Sequence, residues 1–244
     1  MNINFENKRI LVTGGCQGIG KEICLRLSKY KGTVIALSNN KENLDKLSKK
    51  YPEIQTIFVD LLDWDATRAA VKTILPIDLL VNNAGIGIFA PCLTASPEDF
   101  DLTFGVNVRA MLNVSQVVGQ NLVERASPGS IVNLSSQTSR GAIHNSLIYC
   151  SSKAAVNMLT KTMALELGPK NIRVNCVLPT VCLTGLGKLF IDDEKRSNMM
   201  KNRIPLDRFV EPNEIVDAVI FLLSDRSSMI TGVELPIDGG FLAT

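Results

Sequence analysis

Seven short runs of β-branched and aliphatic residues, separated by segments with helical periodicity, constrain this chain more than any other feature. The runs are Arg9–Val12, Thr33–Leu37, Thr56–Val59, Asp78–Val81, Ser130–Leu134, Arg173–Val177 and Val233–Pro236. Strand and helix patterns in alternation make βα units and a parallel sheet. The runs are almost unbroken in apolar character, so burial on both faces is expected, with helices on each side of the sheet. In the first helical segment Ile19, Ile23, Leu27 and Tyr30 form one apolar stripe. Ser96-Pro97-Glu98-Asp99 supplies an N-cap, a proline at the first helical position and acids beside the positive helix end. That opens a helix expected to run to about Arg125, ahead of the breaker Ser127-Pro128-Gly129. A further helix covers about Leu147 to Leu167 and stops at Gly168-Pro169, and another runs from about Glu211 to Leu223. No linker or internal repeat divides the chain. Residues 1–244 are therefore expected as one doubly wound α/β domain with a sheet of about seven strands. The segment Thr184–Pro205, richer in charge and methionine, reads as an insertion able to close over a site.

Charge and rare residues close off other classes. There are 26 Lys plus Arg against 24 Asp plus Glu, a net +2, which gives no electrostatic case for a nucleic-acid or membrane partner. One histidine, His144, is too few for a His-rich metal site. The six cysteines, Cys16, Cys24, Cys92, Cys150, Cys176 and Cys182, include no CxxC pair. No metal is expected, and without a basic-then-apolar leader the default location is the reducing cytoplasm. Apolar stretches fall short of the roughly 18 residues that would mark a membrane span.

Directly after the first strand comes Thr13-Gly14-Gly15-Cys16-Gln17-Gly18-Ile19-Gly20, which leads into the first helix. Glycines let the backbone approach a pyrophosphate, and the helix N-terminus offers unpaired N–H groups to it. Glycines also make ordinary tight turns, so the strand before and the helix after carry the functional reading. Asp60-Leu61, after the third strand, places a carboxylate where an adenine amino group could donate to it; a turn aspartate looks the same. Asn82-Asn83-Ala84-Gly85 ends the fourth strand with small residues, as an ordinary turn also would. All three lie at the carboxyl ends of parallel strands, the edge at which open α/β sheets bind ligands.

Tyr149-x-x-x-Lys153 puts a phenol and an ammonium on one face of a helix. A solvated helix face often shows such a pair. Here, however, Ser135-Ser136 ends the fifth strand, and the Gln137–Ser146 loop can bring the Ser136 and Tyr149 hydroxyls together. Tyrosine ordinarily titrates near pH ~10, and a neighbouring cation lowers that value, which makes the phenol a workable acid or base.

On these motifs the chain resembles the short-chain dehydrogenase/reductase family over its whole length. The family's TGxxxGxG stands as Thr13–Gly20 and its NNAG as Asn82–Gly85. Asn107, Ser136 and YxxxK as Tyr149/Lys153 complete the match. More narrowly, Met163–Pro169, Pro179-Thr180-Val181, Asn202–Leu206 and Phe221–Ser227 with Thr231-Gly232 resemble the L-xylulose (dicarbonyl) reductase subgroup. The resemblance implies a Rossmann-type fold and hydride transfer between a nicotinamide and a carbonyl carbon. It implies that Tyr149 donates the proton, Ser136 hydrogen-bonds the carbonyl oxygen and Lys153 lowers the tyrosine pKa and holds ribose hydroxyls. Asn107 braces a water relay behind Lys153. Gly14, Cys16, Gln17, Gly18, Ile19, Gly20, Asp60, Leu61, Asn83, Ala84 and Gly85 line the cofactor, while Val181 and Thr184 orient its carboxamide.

Members preferring NADP usually carry a basic residue in the glycine motif and an arginine just past the second strand. Gln17 and Asn39 stand there, followed by Asn40 and Lys41, and Ser38 replaces the aspartate of NAD-preferring members. NADP(H) is favoured and NAD(H) not excluded. Gln137, Asn145 and His144 are substrate candidates beside Ser136 and Tyr149, and Phe190 and Met200 are candidates for closing over the ligand. The expected substrates are small carbonyls or sugars, L-xylulose and α-dicarbonyls such as diacetyl. The alternatives are 3-oxoacyl thioesters on the same fold, or a non-enzymatic scaffold or adhesion-associated role. The resemblance also implies a homotetramer. The apolar tail Val233–Ala243 fits that, and fits a buried edge strand equally.

Overall fold

The computed structural model describes residues 3–187, 191–192 and 194–244. The seven strands are β1 (Arg9–Thr13), β2 (Thr33–Ser38), β3 (Gln55–Phe58), β4 (Leu79–Asn82), β5 (Gly129–Leu134), β6 (Ile172–Pro179) and β7 (Glu234–Ile237). They form one parallel sheet in the order β3-β2-β1-β4-β5-β6-β7. Each expected run is a strand, with ends displaced by one or two residues. The order reverses between β1 and β4, and the crevice at such a switch point is where doubly wound sheets bind ligands.

Alternation along each strand feeds two cores. Ile10 and Val12 of β1 face α1 (Gly18–Lys29), meeting Ile23 and Leu27, and the same cluster takes in Ile215 and Val219. Leu11, between them, points to the opposite face, where it joins Val114, Val118 and Leu122. Each such aliphatic side chain contributes about 1.5–3 kcal/mol on full burial, so the sheet is held from both sides. Two short helices, α2 (Lys41–Lys50) and α3 (Trp64–Thr73), are capped by the side chains of Asn40 and Asp63.

The Ser96 side chain accepts from the Asp99 N–H at 3.1 Å and opens α4 (Pro97–Phe104). The run to Arg125 is not one regular helix: a π turn at Gly105–Arg109 joins α4 to α5 (Ala110–Glu124). The extra residue of a π turn re-aims the side chains around it, and such turns recur at functional sites. The long helix α6 (Leu147–Leu167) matches its expected bounds. Past the site come α7 (Glu194–Lys201) and α8 (Pro212–Leu223), the latter with a Glu211/Glu214 capping box.

Within the expected insertion 184–205, residues 188–190 and 193 lie outside the described residues, Phe190 among them. Met200, on α7, is buried beside Ile204, Phe209 and Phe241. Val233–Ala243 supplies the edge strand β7 and a 3-10 turn at Phe241–Ala243. Among the described residues no helix is long and apolar enough to cross a membrane, and no cluster of His, Cys, Asp and Glu could hold a metal.

Candidate active site

A cleft of about 890 Å³ opens at the carboxyl ends of β1, β4, β5 and β6. One wall is built by register. Thr13 pairs with Asn82 across β1 and β4, and its Oγ1 accepts from the N–H groups of both Asn83 and Ala84 at 3.1 Å. The Asn83 side chain then donates to the carbonyl oxygens of Thr13 (3.0 Å) and Gly14 (3.2 Å). The two small-residue turns thus support each other, and only glycine fits between them. A Cβ on Gly20 would lie 2.3 Å from the Gly14 oxygen, and Gly14 itself has φ +64°. Gly18, at φ +52°, instead faces open space with Thr184 Oγ1 at 3.7 Å. Backbone N–H groups and a cradle that a Cβ at Gly18 would narrow fit a pyrophosphate there.

Gly14, Gln17, Gly18, Ile19, Asn83, Ala84, Gly85, Val181 and Thr184 line the cleft. Cys16, Gly20, Ser38, Asn39, Asn40, Asp60 and Leu61, also expected around a cofactor, do not line it. Cys16 is buried, with Sγ donating to Ser38 Oγ at 3.1 Å, and Ser38 Oγ also accepts from the Asn40 N–H. Asn40 Oδ1 caps α2 through the Asn43 N–H, and the Asn43 side chain donates to Gln17 Oε1 at 3.0 Å. Cys16, Gln17, Ser38 and Asn40 are therefore gathered in one corner, beside exposed Asn39. Gly20 packs behind the glycine turn. Asp60 closes its own turn by accepting from the Leu62 N–H, with Leu61 next to it; neither lines the cleft.

At the other end Ser136, Gln137, Tyr149 and Lys153 share the cleft wall. Lys153 is 4% exposed. Its Nζ donates to the Leu134 carbonyl at 2.9 Å and lies 5.8 Å from the centre of the Tyr149 ring. Desolvation pulls the Lys153 ammonium down to about 8. It also pushes the Tyr149 phenol up to about 12, against a hydrogen bond with Ser136 that favours ionisation. The expectation that the cation lowers the titration of the phenol is not met: Lys153 is engaged with the Leu134 carbonyl, and burial outweighs the Ser136 hydrogen bond at the phenol.

Asn107, on the π turn, is fully buried. It accepts from the Ile86 N–H (2.9 Å) and donates to the Ile86 carbonyl and Ser152 Oγ, both at 3.0 Å. A Cβ on Gly85 would lie 3.3 Å from both Asn107 Oδ1 and Lys153 Nζ, so glycine there leaves the two side chains close together. Asn145, with φ +59°, and His144 are exposed and do not line the cleft. Sequence reasoning passed over Phe89, whose ring packs 5.6 Å from that of Tyr149, and Ile143, Thr138 and Thr180, which also line the cleft. The rule that ligands meet strand C-termini reaches Thr180, just past β6; nothing local marks Phe89.

A family model, curated relatives and solved structures similar to this chain agree with that architecture. The model of the enoyl-(acyl carrier protein) reductase family matches residues 14–242. L-xylulose reductase of Mesocricetus auratus is 47% identical over 244 residues, covering 100% of both chains. Carbonyl reductase [NADPH] 2 of Sus scrofa is 42% identical with the same coverage. Among solved structures, a gluconate 5-dehydrogenase from Burkholderia cenocepacia in complex with NADP and tartrate superposes with a TM-score of 0.94. It is 29% identical, covering 99% of this chain and 97% of that one. With a seven-stranded doubly wound sheet, a glycine cradle at its switch point and full-length identity to reductases, the chain belongs to the short-chain dehydrogenase/reductase family and is an oxidoreductase.

Proposed function

We propose that the protein reduces small carbonyl compounds with NADPH, converting L-xylulose to xylitol and acting on α-dicarbonyls such as diacetyl. The observation that carries this reading is the joint presence, on one cleft wall, of Ser136, Tyr149 and Lys153 beside an open glycine cradle. Full-length identity to an L-xylulose reductase and to a carbonyl reductase whose name includes NADPH supports the substrate and cofactor class.

A nicotinamide cofactor, once bound, would supply the hydride. Gly18 and the α1 N-terminus would hold its pyrophosphate, Val181 and Thr184 would orient its carboxamide, and Lys153 would hold its ribose. Ser136 hydrogen-bonds the carbonyl oxygen, and Tyr149 donates a proton to it as negative charge develops. A phenol raised to about 12 by burial stays protonated at neutral pH, which is the form a donor needs. Hydrogen bonds aimed at developing charge are worth several kcal/mol in a site closed to water. Asn107 fixes the Ile86 backbone beside Lys153 and supports a proton relay behind it. The reading includes a homotetramer, for which the exposed Leu147, Met158 and Leu165 of α6 offer apolar surface, and a cytoplasmic location, consistent with six free cysteines.

The description of the matching family, a reductase of chains linked to a carrier protein, favours a second reading in which the substrate is thioester-linked and is reduced at a 3-oxo carbonyl. A matrix of L-xylulose, diacetyl and acetoacetyl thioester, each assayed with NADPH and NADH, tests both. Highest kcat/KM for the two small carbonyls with NADPH supports the proposal; a preference for the thioester, or for NADH, rejects it. Light scattering of the pure protein tests the tetramer.

A further inference from the structure

Glu234 opens β7 with a side chain only 4% exposed. A carboxylate removed from water is costly unless several donors meet it. Three do: Arg140 Nε at 2.6 Å, Lys161 Nζ at 2.5 Å and Asn157 Nδ2 at 2.9 Å. All three partners lie on the elements that carry the reacting groups. Tyr149, Lys153, Asn157 and Lys161 follow one another at intervals of four along α6 and so share one stripe of the helix. Arg140 ends the turn that begins at Ser136, where its N–H donates to the Gln137 carbonyl at 3.1 Å.

From Glu234 two hydrogen-bonded chains run toward the cleft. Along the first, Asn157 Oδ1 accepts from Ser135 Oγ at 2.6 Å, and the one hydroxyl hydrogen of Ser135 is shared with the Lys153 carbonyl oxygen at 3.1 Å. Along the second, Asn157 Nδ2 donates to Ser139 Oγ at 2.9 Å, and Ser139 Oγ donates to the Ser136 carbonyl oxygen at 2.6 Å. One buried carboxylate is thereby joined to the backbone of both Ser136 and Lys153, although it touches neither side chain and is not part of the cleft wall. Apolar packing could stabilise this seam as well as ion pairs do. Directional bonds additionally fix the loop carrying Ser136 against the stripe carrying Tyr149 and Lys153.

We propose that Glu234 is a positioning residue for carbonyl reduction, holding Ser136 in register with Tyr149 and Lys153 through Asn157, Ser135 and Ser139. The proposal rests on the reading that Ser136, Tyr149 and Lys153 carry the reaction. In Glu234→Gln one acceptor for Asn157 remains, but the charge that gathers Arg140 and Lys161 is gone. The full-length variant is to be compared with wild type and Tyr149→Phe by thermal melting, NADPH fluorescence titration, steady-state kinetics on diacetyl and the isotope effect with 4-deuterated NADPH. Well below its Tm, Glu234→Gln is expected to lose roughly 10- to 100-fold in kcat, the scale of a misplaced reacting group. NADPH affinity should be unchanged, and the isotope effect should rise as chemistry becomes limiting. A folded Glu234→Gln with wild-type kcat and isotope effect overturns the proposal, whatever its Tm. Asn157→Ala, which leaves Glu234 paired with both cations, is the second variant should the first not fold; the same kinetic split is expected, and wild-type kcat overturns the proposal equally. Activity surviving in Tyr149→Phe would instead defeat the underlying reading, so the two failures are distinct.

Discussion

The Lys153 ammonium lies 5.8 Å from the centre of the Tyr149 ring and donates to the Leu134 carbonyl oxygen, so it faces the aromatic face and a backbone oxygen at once. Both side chains are held away from water, and burial moves their titrations in opposite senses: the ammonium down to about 8 and the phenol up to about 12. The neutral phenol is the state retained across the physiological range.

Removal of the phenol hydroxyl tests its role directly. Tyr149→Phe is expected to lower kcat for diacetyl by roughly 10²–10⁴-fold, the usual worth of a positioned general acid. NADPH binding, followed by fluorescence titration, should be retained. Activity within a few-fold of wild type would reject Tyr149 as the donor.

The depressed Lys153 value has a signed consequence for the cofactor-free protein. Below about pH 8 the folded state must hold a buried charge; between there and the ordinary lysine value near ~10.4 the unfolded chain binds more protons than the folded one. Stability attributable to this residue therefore rises with pH across that window, by about 3 kcal/mol at ~1.36 kcal/mol per unit. Urea melts of wild type and Lys153→Met at pH 7 and 10 measure it. The difference between the two proteins should shift by most of that amount, since pH 10 stops just short of the ordinary lysine value; a pH-independent difference would contradict the assignment.

Gly18 and Gly20, two residues apart, should behave differently. In Gly20→Ala the new Cβ meets backbone at 2.3 Å and the Asn83 side chain at 2.4 Å, so the seam between the glycine turn and Asn83 opens, and Tm should fall by several degrees. Gly18→Ala meets only open cleft, with a left-handed backbone penalty of about 1–2 kcal/mol. Its main expected effect is weaker NADPH binding, because the methyl fills the cradle. Equal stability losses with unchanged cofactor affinity would argue against a pyrophosphate at Gly18.

The corner formed by Gln17, Ser38, Asn40 and Asn43 lacks a guanidinium. Gln17→Arg gives up the bond from Asn43 and is expected to raise the ratio of kcat/KM for NADPH over NADH by roughly tenfold, through a charge-assisted bond to the 2′-phosphate. An unchanged ratio would place the phosphate elsewhere.

The central strands were legible in the sequence because a strand buried on both faces must be apolar at nearly every position, as at Ile10–Val12 and Leu79–Val81, whereas the edge strands β3, with Phe58 60% exposed, and β7 were legible from short aliphatic and β-branched runs. The Ser96 cap and the Gly168 stop were legible for a local reason too, since a helix end is satisfied by its own neighbours. The π turn at Gly105–Arg109 was not: one inserted residue leaves the apolar pattern on either side nearly intact. The glycine turn, Asn83 and the Tyr149/Lys153 pair could be located because strand ends converge on one edge of a parallel sheet.

What the sequence by itself determined is the doubly wound sheet and the set of residues delivered to its carboxyl edge, since both follow from periodicity and from chemistry within a few positions. Only the tertiary structure decided that Lys153 turns to the Leu134 carbonyl, that His144 and Asn145 stay outside the cleft, and that Glu234 reaches Asn157 and Arg140. Those outcomes depend on which side chains burial brings together across β5, α6 and β7. Contacts between residues far apart in the chain, and the loss of water around them, have no local signature in the sequence.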